Sequence, residues 1–333
     1  LLAGFTHTEW KCSSQGGEEV SLIISFPHDY YVTVVFSTRK LPDEAKAKLM
    51  KWTLVEESPP EEAQVIMGWP GDLNGIIQRV KGVRYIQTFS AGVDDLNFDV
   101  LPKGVKVFSN AGAYSEAVAE HAWGLILSLA KGIGKRERVE SYVLKGGQLL
   151  VVGCGGIGSQ VALIGKEGFK MRTLGVSRSF KRPELFDERY DLNSLGEVIG
   201  RADVIAVALP LSKRTLGLIN YDLLKRTKDK SIMVNVGRGE VVVEEDVYRV
   251  LRERPTFRFG TDVFWRKGGR EDFNSKLWEL PNFTGTPHTA GGNANQEVLR
   301  NALVNAAENV RRLLETGRAD NEVKIEDYLD AKL

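Results

Sequence analysis

Three polar side chains each follow directly on a short apolar run: Arg238 in NVGRG (235–239), Asp262 in GTDVF (260–264) and His288 in TGTPH (284–288). A guanidinium offers a planar fork of donors that grips a carboxylate or carbonyl oxygen, and an imidazole passes a proton near neutral pH. Hydride transfer to a 2-keto acid needs both, because the carboxylate must be anchored and the forming alkoxide protonated. The chain has 4 histidines, so the proton donor is nearly enumerable. His7 and His28 fall in a stretch without readable periodicity. His121 sits within AEHAW (119–123) on a long apolar helical pattern, where a hydrogen-bonded structural role is expected. His288, after a proline at a strand end, is the best candidate.

A second constellation lies upstream. Gly153, Gly155 and Gly158 stand in G-x-G-x-x-G spacing, directly after the apolar run 148–152 and before a helical pattern from Ile157 to Lys166. In that context Gly153 allows the tight turn, Gly155 close approach of a pyrophosphate and Gly158 strand–helix packing. Gly156 and Ile157 open the helix whose N–H groups would face the phosphates. The bland alternative is a glycine-rich turn without a ligand. Cys154 inside the loop reads as a small filler.

Roughly 20 residues further on, an NAD site would place an acid for the ribose 2′-hydroxyl. Ser177, Arg178 and Ser179 stand there instead, followed by Lys181 and Arg182, with no acid until Glu184. An arginine and small hydroxyls suit a 2′-phosphate, so NADP(H) is expected over NAD(H), which stays possible. A solvated basic turn is the alternative.

These residues need a scaffold, and the chain supplies one. Its 333 residues amount to about two domains. Apolar runs and helical patterns alternate: strands at 31–36, 148–152, 171–176, 204–209, 231–236, 256–261 and 283–286, and helices at 42–50, 115–131, 157–166, 243–252 and 294–314. Further runs fall at 64–67, 73–80 and 85–89, and the polar stretch 132–147 reads as a connector. This rhythm predicts α/β units with parallel sheets. Residues 1–29 are left unplaced.

A net charge of +1 gives no electrostatic reason to expect nucleic acid or an anionic membrane as partner. No apolar stretch approaches the roughly 20 residues that span a bilayer, and the N-terminus lacks a secretory layout. With only 2 cysteines, Cys12 and Cys154, a disulfide framework is excluded and a reducing, cytoplasmic compartment expected.

Taken in order, the motifs resemble the D-isomer-specific 2-hydroxyacid dehydrogenase family from about residue 64 to about residue 314. The matching stretches are QTFSAGVD (87–94), SEAVAEH (115–121), the glycine loop, the run from Ala202 to Leu211, NVGRG (235–239), DVF (262–264) and PHTAG (287–291). The resemblance implies a Rossmann-type doubly wound sheet, residues 111–288, inserted into a flavodoxin-like α/β substrate domain, residues 1–110 plus 289–333. It also implies a homodimer, with glyoxylate or hydroxypyruvate as typical substrates.

By position, Arg238 resembles the substrate-binding arginine, His288 the general acid/base and Asp262 the contact to the nicotinamide carboxamide. Ser90, Ala91 and Gly92 match the loop whose N–H groups hold the substrate carboxylate, a sensible anion nest; alone they read as an ordinary turn. Leu209, Pro210, Val236 and Gly237, at or just past strand ends, join the cofactor set with His288. Trp69 either lines the cleft or packs.

One departure stands out. The family places a glutamate about five residues after the Asp-Val pair, bonded to the histidine and favouring its protonated form. Here Lys267 falls at that position, while Glu271 and Asp272 come later. Either a shifted loop returns Glu271 to His288, the favoured alternative, or the dyad is incomplete. The leading expectation is thus an NADPH-dependent 2-keto acid reductase. Its rivals are a dehydrogenase of another small anion, such as formate or phosphite, and a nucleotide-sensing scaffold without turnover.

Overall fold

A computed structural model describes residues 33–329 and the backbone of residues 5–13 and 19–27. Strands β1 (Phe5–Ser13) and β2 (Glu19–Pro27) pair antiparallel within the stretch that the sequence left unplaced. His28, the side chains of His7 and Cys12, and the first residues of the strand expected at 31–36 lie outside the described residues.

From there two parallel sheets form. The first comprises β3 (Val34–Ser37), β4 (Thr53–Val55), β5 (Val65–Gly68), β6 (Tyr85–Thr88) and β7 (Lys106–Phe108), in the order β4-β3-β5-β6-β7. Counted within the sheet this is 2-1-3-4-5, the flavodoxin order. Side chains alternate across it. Ile66 and Ile86 pack with Leu73 and Ile77 of α2 (Pro70–Ile77) on one face. On the other face Val65 and Met67 meet Ala45 and Leu49 of α1 (Asp43–Leu49).

Helix α3 (Ser115–Lys131), matching the expected 115–131, carries the chain into the second sheet. That sheet is formed by β8 (Gln148–Val152), β9 (Arg172–Val176), β10 (Glu188–Tyr190), β11 (Val204–Val207), β12 (Ile232–Asn235), β13 (Arg258–Thr261) and, last in sequence, β16 (Phe283–Gly285). The order β10-β9-β8-β11-β12-β13-β16 is the 3-2-1-4-5-6 Rossmann arrangement with one more strand, and every pairing is parallel. Helix α4 (Gly156–Phe169) follows β8, and α5 (Leu195–Val198), α6 (Tyr221–Leu224) and α7 (Glu244–Glu253) complete the cover. Between β13 and β16 lies a two-stranded hairpin, β14 (Arg266–Lys267) and β15 (Arg270–Glu271).

The final helix α8 (Gln296–Thr316) returns to the first sheet, where Leu303, Ala306 and Val310 join Ala45 and Leu49. It starts two residues later than expected because the Asn295 side chain caps it, accepting from the N–H groups of Glu297 and Val298. The α/β class and the two-sheet, two-domain architecture agree with the expectation. No helix among the described residues is long and apolar enough to cross a membrane.

Candidate active site

Because the seven strands run parallel, their carboxyl ends share one edge, and the sheet order reverses between β8 and β11. Ligands of such sheets sit in that crevice. A cavity of about 440 Å³ opens there, with Gly155, Gly156 and Ile157 at its floor and Leu209, Pro210, Val236, Gly237 and Arg238 along one side. Ala91 and Gly92, in the loop after β6 of the other sheet, also line it.

The glycines have separate physical roles. Gly153 has φ of 101°, and a Cβ there would stand 2.6 Å from the Ala208 carbonyl oxygen. At Gly158 a Cβ would come within 2.0 Å of the Gly153 oxygen. Gly155, by contrast, faces open space, and no side chain caps the start of α4. The buried Ser115 hydroxyl points beside Gly156 and finds no hydrogen-bond partner among the described residues. Free helix N–H groups and an unpaired hydroxyl around an open floor fit the pyrophosphate of a dinucleotide.

Gly158→Ala should therefore push α4 off β8. The expected result is a loss of about 1–3 kcal/mol of stability together with weakened dinucleotide binding, read by thermal denaturation and by fluorescence titration. A variant that melts and binds like the parent would refute this tight packing. Cys154 is buried, and burial pushes its thiol up, in keeping with a filler rather than a nucleophile.

Arg238 follows β12, its loop ordered by Asn235, which donates through Nδ2 to the Arg238 carbonyl at 2.8 Å and accepts from the Gly237 N–H at 3.1 Å. The guanidinium donates through Nε to both oxygens of Asp94, at 3.0 and 3.1 Å, and through Nη1 to the Gly237 carbonyl. Asp94 also pairs with Arg266, which reaches Asp95 at 2.9 Å and Glu240 at 3.2 Å. Burial pushes the Asp94 carboxyl up, but the two arginines outweigh it and hold the group below its ordinary range. Arg238 is thus fixed through one edge, with Nη2 turned toward the loop at Ser90–Gly92. A Cβ on Gly92 would lie 1.8 Å from that nitrogen, so only glycine lets the loop approach so closely. The Ser90 hydroxyl donates to the Gly92 carbonyl at 2.6 Å and folds the loop back on itself.

His288 has φ of 53°, a left-handed conformation rare outside glycine. Asp262 holds that turn. Its Oδ1 accepts from the Thr286 hydroxyl at 2.6 Å and the Thr289 N–H at 2.9 Å, its Oδ2 from the Ala290 N–H at 3.1 Å, and its carbonyl from the His288 N–H at 2.9 Å. His121 Nε2 lies 2.7 Å from the Thr286 oxygen. Since the threonine proton goes to Asp262, that nitrogen is the donor, and His121 has the hydrogen-bonded place expected for it.

On the other side of the imidazole, Nδ1 lies 2.5 Å from Glu271 Oε2. The β14–β15 hairpin brings the carboxylate there: Gly268 and Gly269, with φ of 60° and 81°, form a two-residue turn of the mirror-image kind that hairpins favour. Lys267 is directed elsewhere, pairing with Asp272 at 2.7 Å. Burial pushes Glu271 up, but the bond and charge of His288, the Phe264 N–H and the charge of Arg238 offset this and leave it below the usual glutamate range. Glu271 thus touches one candidate catalytic group and feels the other. With Nδ1 occupied, Nε2 is the nitrogen left for exchange with a ligand.

Of the remaining expected residues, Arg178 and Ser179 line the cavity. Ser177 accepts from the Ser179 N–H through Oγ at 3.4 Å, and Arg182 pairs with Glu184. Trp69 packs edge-to-face on Phe89 with centroids 6.0 Å apart. Sequence reasoning gave no role to Asp94, Arg266 or the segment 321–328, several of whose residues line the cavity. Asp94 lay inside a quoted motif, whereas nothing local marked the other two.

A dinucleotide groove at the switch point of a Rossmann sheet, lined by Arg238, whose charge reaches the carboxylate of the His288–Glu271 pair, defines a nicotinamide-linked oxidoreductase. The family model for the NAD binding domain of D-isomer specific 2-hydroxyacid dehydrogenases matches residues 105–290, more than half of the chain. Among curated relatives, a hydroxypyruvate reductase of Thermotoga maritima is 28% identical over 283 residues, covering 81% of this chain and 91% of its own. A glyoxylate reductase of Pyrococcus furiosus is 28% identical over 288 residues, covering 76% and 84%. Among solved structures, a Pyrobaculum aerophilum protein provisionally described as a formate dehydrogenase superposes with a TM-score of 0.77 at 32% identity, covering 88% of this chain and 99% of that one. The chain belongs to the D-isomer specific 2-hydroxyacid dehydrogenase family.

Proposed function

We propose that this protein reduces small 2-keto acids, glyoxylate or hydroxypyruvate in kind, with NADPH, and oxidises the matching D-2-hydroxy acids in reverse. The observation that carries the reading is the pairing of His288 with Glu271, whose carboxylate also feels the charge of Arg238, while Arg238 in turn reaches the loop at Ser90–Gly92. A reduced nicotinamide bound in the groove supplies the hydride for C2. Arg238 Nη2 and the N–H groups of Ala91 and Gly92 bind the carboxylate, and the guanidinium polarises the keto oxygen. His288 Nε2 gives its proton to that oxygen as charge develops, and Glu271 stabilises the protonated ring. Asp262, whose Oδ2 accepts only the Ala290 N–H among the described residues, is assigned the carboxamide contact. Gly153, Gly155, Gly156, Ile157 and Gly158 take the pyrophosphate, Leu209, Pro210, Val236 and Gly237 flank the bound cofactor, and Ser177, Arg178 and Ser179 take the 2′-phosphate. Trp69, through Phe89, supports the substrate side.

In this reading residues 1–110 plus 289–333 form the substrate domain and residues 111–288 the cofactor domain. A cytoplasmic homodimer fits the family likeness and the scarcity of cysteine. The test is the initial rate of NADPH and NADH oxidation against glyoxylate, hydroxypyruvate, pyruvate and bulkier 2-keto acids. Turnover of the two smallest acids with NADPH favoured is expected. Absence of turnover on every acid would remove the assignment, and a clear preference for NADH would remove its cofactor half.

The likeness to the Pyrobaculum aerophilum protein favours formate as a second reading, since Arg238 would grip any small anion. Oxidation of formate to carbon dioxide moves a hydride but leaves no alkoxide to protonate. The His288–Glu271 pair would then be idle, which places the keto acid first.

A further inference from the structure

Arg178, the residue assigned to the 2′-phosphate, is already engaged. Its Nη1 donates to Asp327 Oδ2 at 2.8 Å, and Arg214 Nε stands 4.0 Å from the other oxygen of that carboxylate. Asp327 comes from the segment after α8, which runs back across the mouth of the groove. Backbone bonds fasten that segment to the first sheet, with Val323 N–H donating to the Val107 carbonyl at 2.8 Å and Ser109 N–H to the Asn321 carbonyl at 3.0 Å. The Tyr328 ring stacks on Phe98 at 4.7 Å, and the Asp327 carbonyl accepts from the Lys213 N–H. These contacts fix the carboxylate independently of Arg178, so it stays in place when the arginine turns to another partner. Asp327 is 14% exposed and Arg178 49%, so the acid is the anchored member of the pair and the arginine the movable one.

We propose that Asp327 is a specificity-determining residue, a fixed carboxylate at the end of the groove that competes with a cofactor 2′-phosphate for Arg178 and so narrows the preference for NADPH over NADH. The inference rests on the assignment of Arg178 to the 2′-phosphate. The end of β9 lacks the acid that discriminates against phosphate in NAD sites. In the folded chain an acid reaches the same neighbourhood from about 150 residues further along the sequence. A 2′-phosphate carries more charge than a single carboxylate and so can take the arginine, but it must do so beside a negative group. An unphosphorylated ribose does not need Arg178 and feels little of this.

The test is isothermal titration calorimetry with 2′,5′-ADP and 5′-AMP as probes, on the full chain and on D327N, R178A and the double variant. Retained binding of 5′-AMP reports an intact groove in each. D327N is expected to tighten 2′,5′-ADP roughly three- to tenfold, with 5′-AMP within about twofold of the parent. R178A is expected to weaken 2′,5′-ADP, and in that background D327N should tighten it distinctly less. An unchanged ratio of the two affinities in D327N, or the same change with Arg178 absent, overturns the role of Asp327. If R178A weakens 2′,5′-ADP while D327N has no effect, only this inference falls. If R178A leaves 2′,5′-ADP unaffected, the phosphate assignment of Arg178 falls as well.

Discussion

Arg238→Ala is expected to lower kcat/KM for keto-acid reduction by about a thousandfold or more, because in the proposed reaction one guanidinium would both anchor the carboxylate and polarise the reacting oxygen. The loss should appear in KM and in kcat together, since the first task is performed in the ground state and the second grows toward the transition state. Arg238→Lys separates charge from geometry. A lysine keeps the cation but has no planar fork, and it cannot hold Asp94 through one edge while presenting another. It should recover only a minor part of the activity. Thermal denaturation must accompany both assays, because removing Arg238 leaves the buried Asp94 with Arg266 as its remaining ion-pair partner. If a well-folded Arg238→Ala variant kept more than about a tenth of the parent's kcat/KM, the substrate-binding role would be lost.

His288→Ala should reduce kcat by about 10²- to 10⁴-fold with a smaller change in KM, the range usual for removal of a positioned acid. The companion variant Glu271→Gln carries the more specific prediction. Glu271 lies below the usual glutamate range, so it is ionised throughout the neutral region. The stabilisation it gains from its partners is complete above the ordinary carboxylate value and fades as pH falls through the depressed one. Across the working range the ring therefore faces an anionic partner at Nδ1. Reduction uses a protonated ring, so removing that anion by Glu271→Gln should move the alkaline limb of the reductive pH–rate profile to lower pH. Oxidation uses the neutral form and should retain activity further into the acid side. Two profiles that superpose on those of the parent would take Glu271 out of the chemistry.

Much of this site was readable before folding because its demands are local. A glycine that must admit a helix against a strand, or a turn at φ of 101°, leaves its mark within a few residues. The long buried helix α3 was read to the residue since its apolar spacing runs from end to end. Of the three-residue strands β16 was legible, but β4, β7 and β10 were not, being too short to show alternation and partly exposed. Contacts made across the chain were equally silent. Asp94 and Arg266 are 172 residues apart, and Arg178 and Asp327 are 149 apart. No spacing rule announces such pairs, because only the closing of one sheet over the other brings them together. Glu271 lay between these cases. Its distance in sequence from Asp262 argued against it and only a shifted loop could restore it; the turn at Gly268 and Gly269 is what supplies that shift in the fold.

The hairpin carrying Glu271 also changes what a substitution or deletion there would mean. Successive residues of a strand point to opposite sides, so the carboxylate meets the imidazole by parity rather than by a count from Asp262. Gain of one residue in the turn would present the neighbouring Arg270 to the ring, turning an attractive partner into a repulsive one. Two residues added or removed as a matched pair, one on each arm, would alter reach while leaving the odd–even phase intact. An even change of length therefore keeps the Glu271 carboxylate on the imidazole side of its strand, and an odd one turns it away.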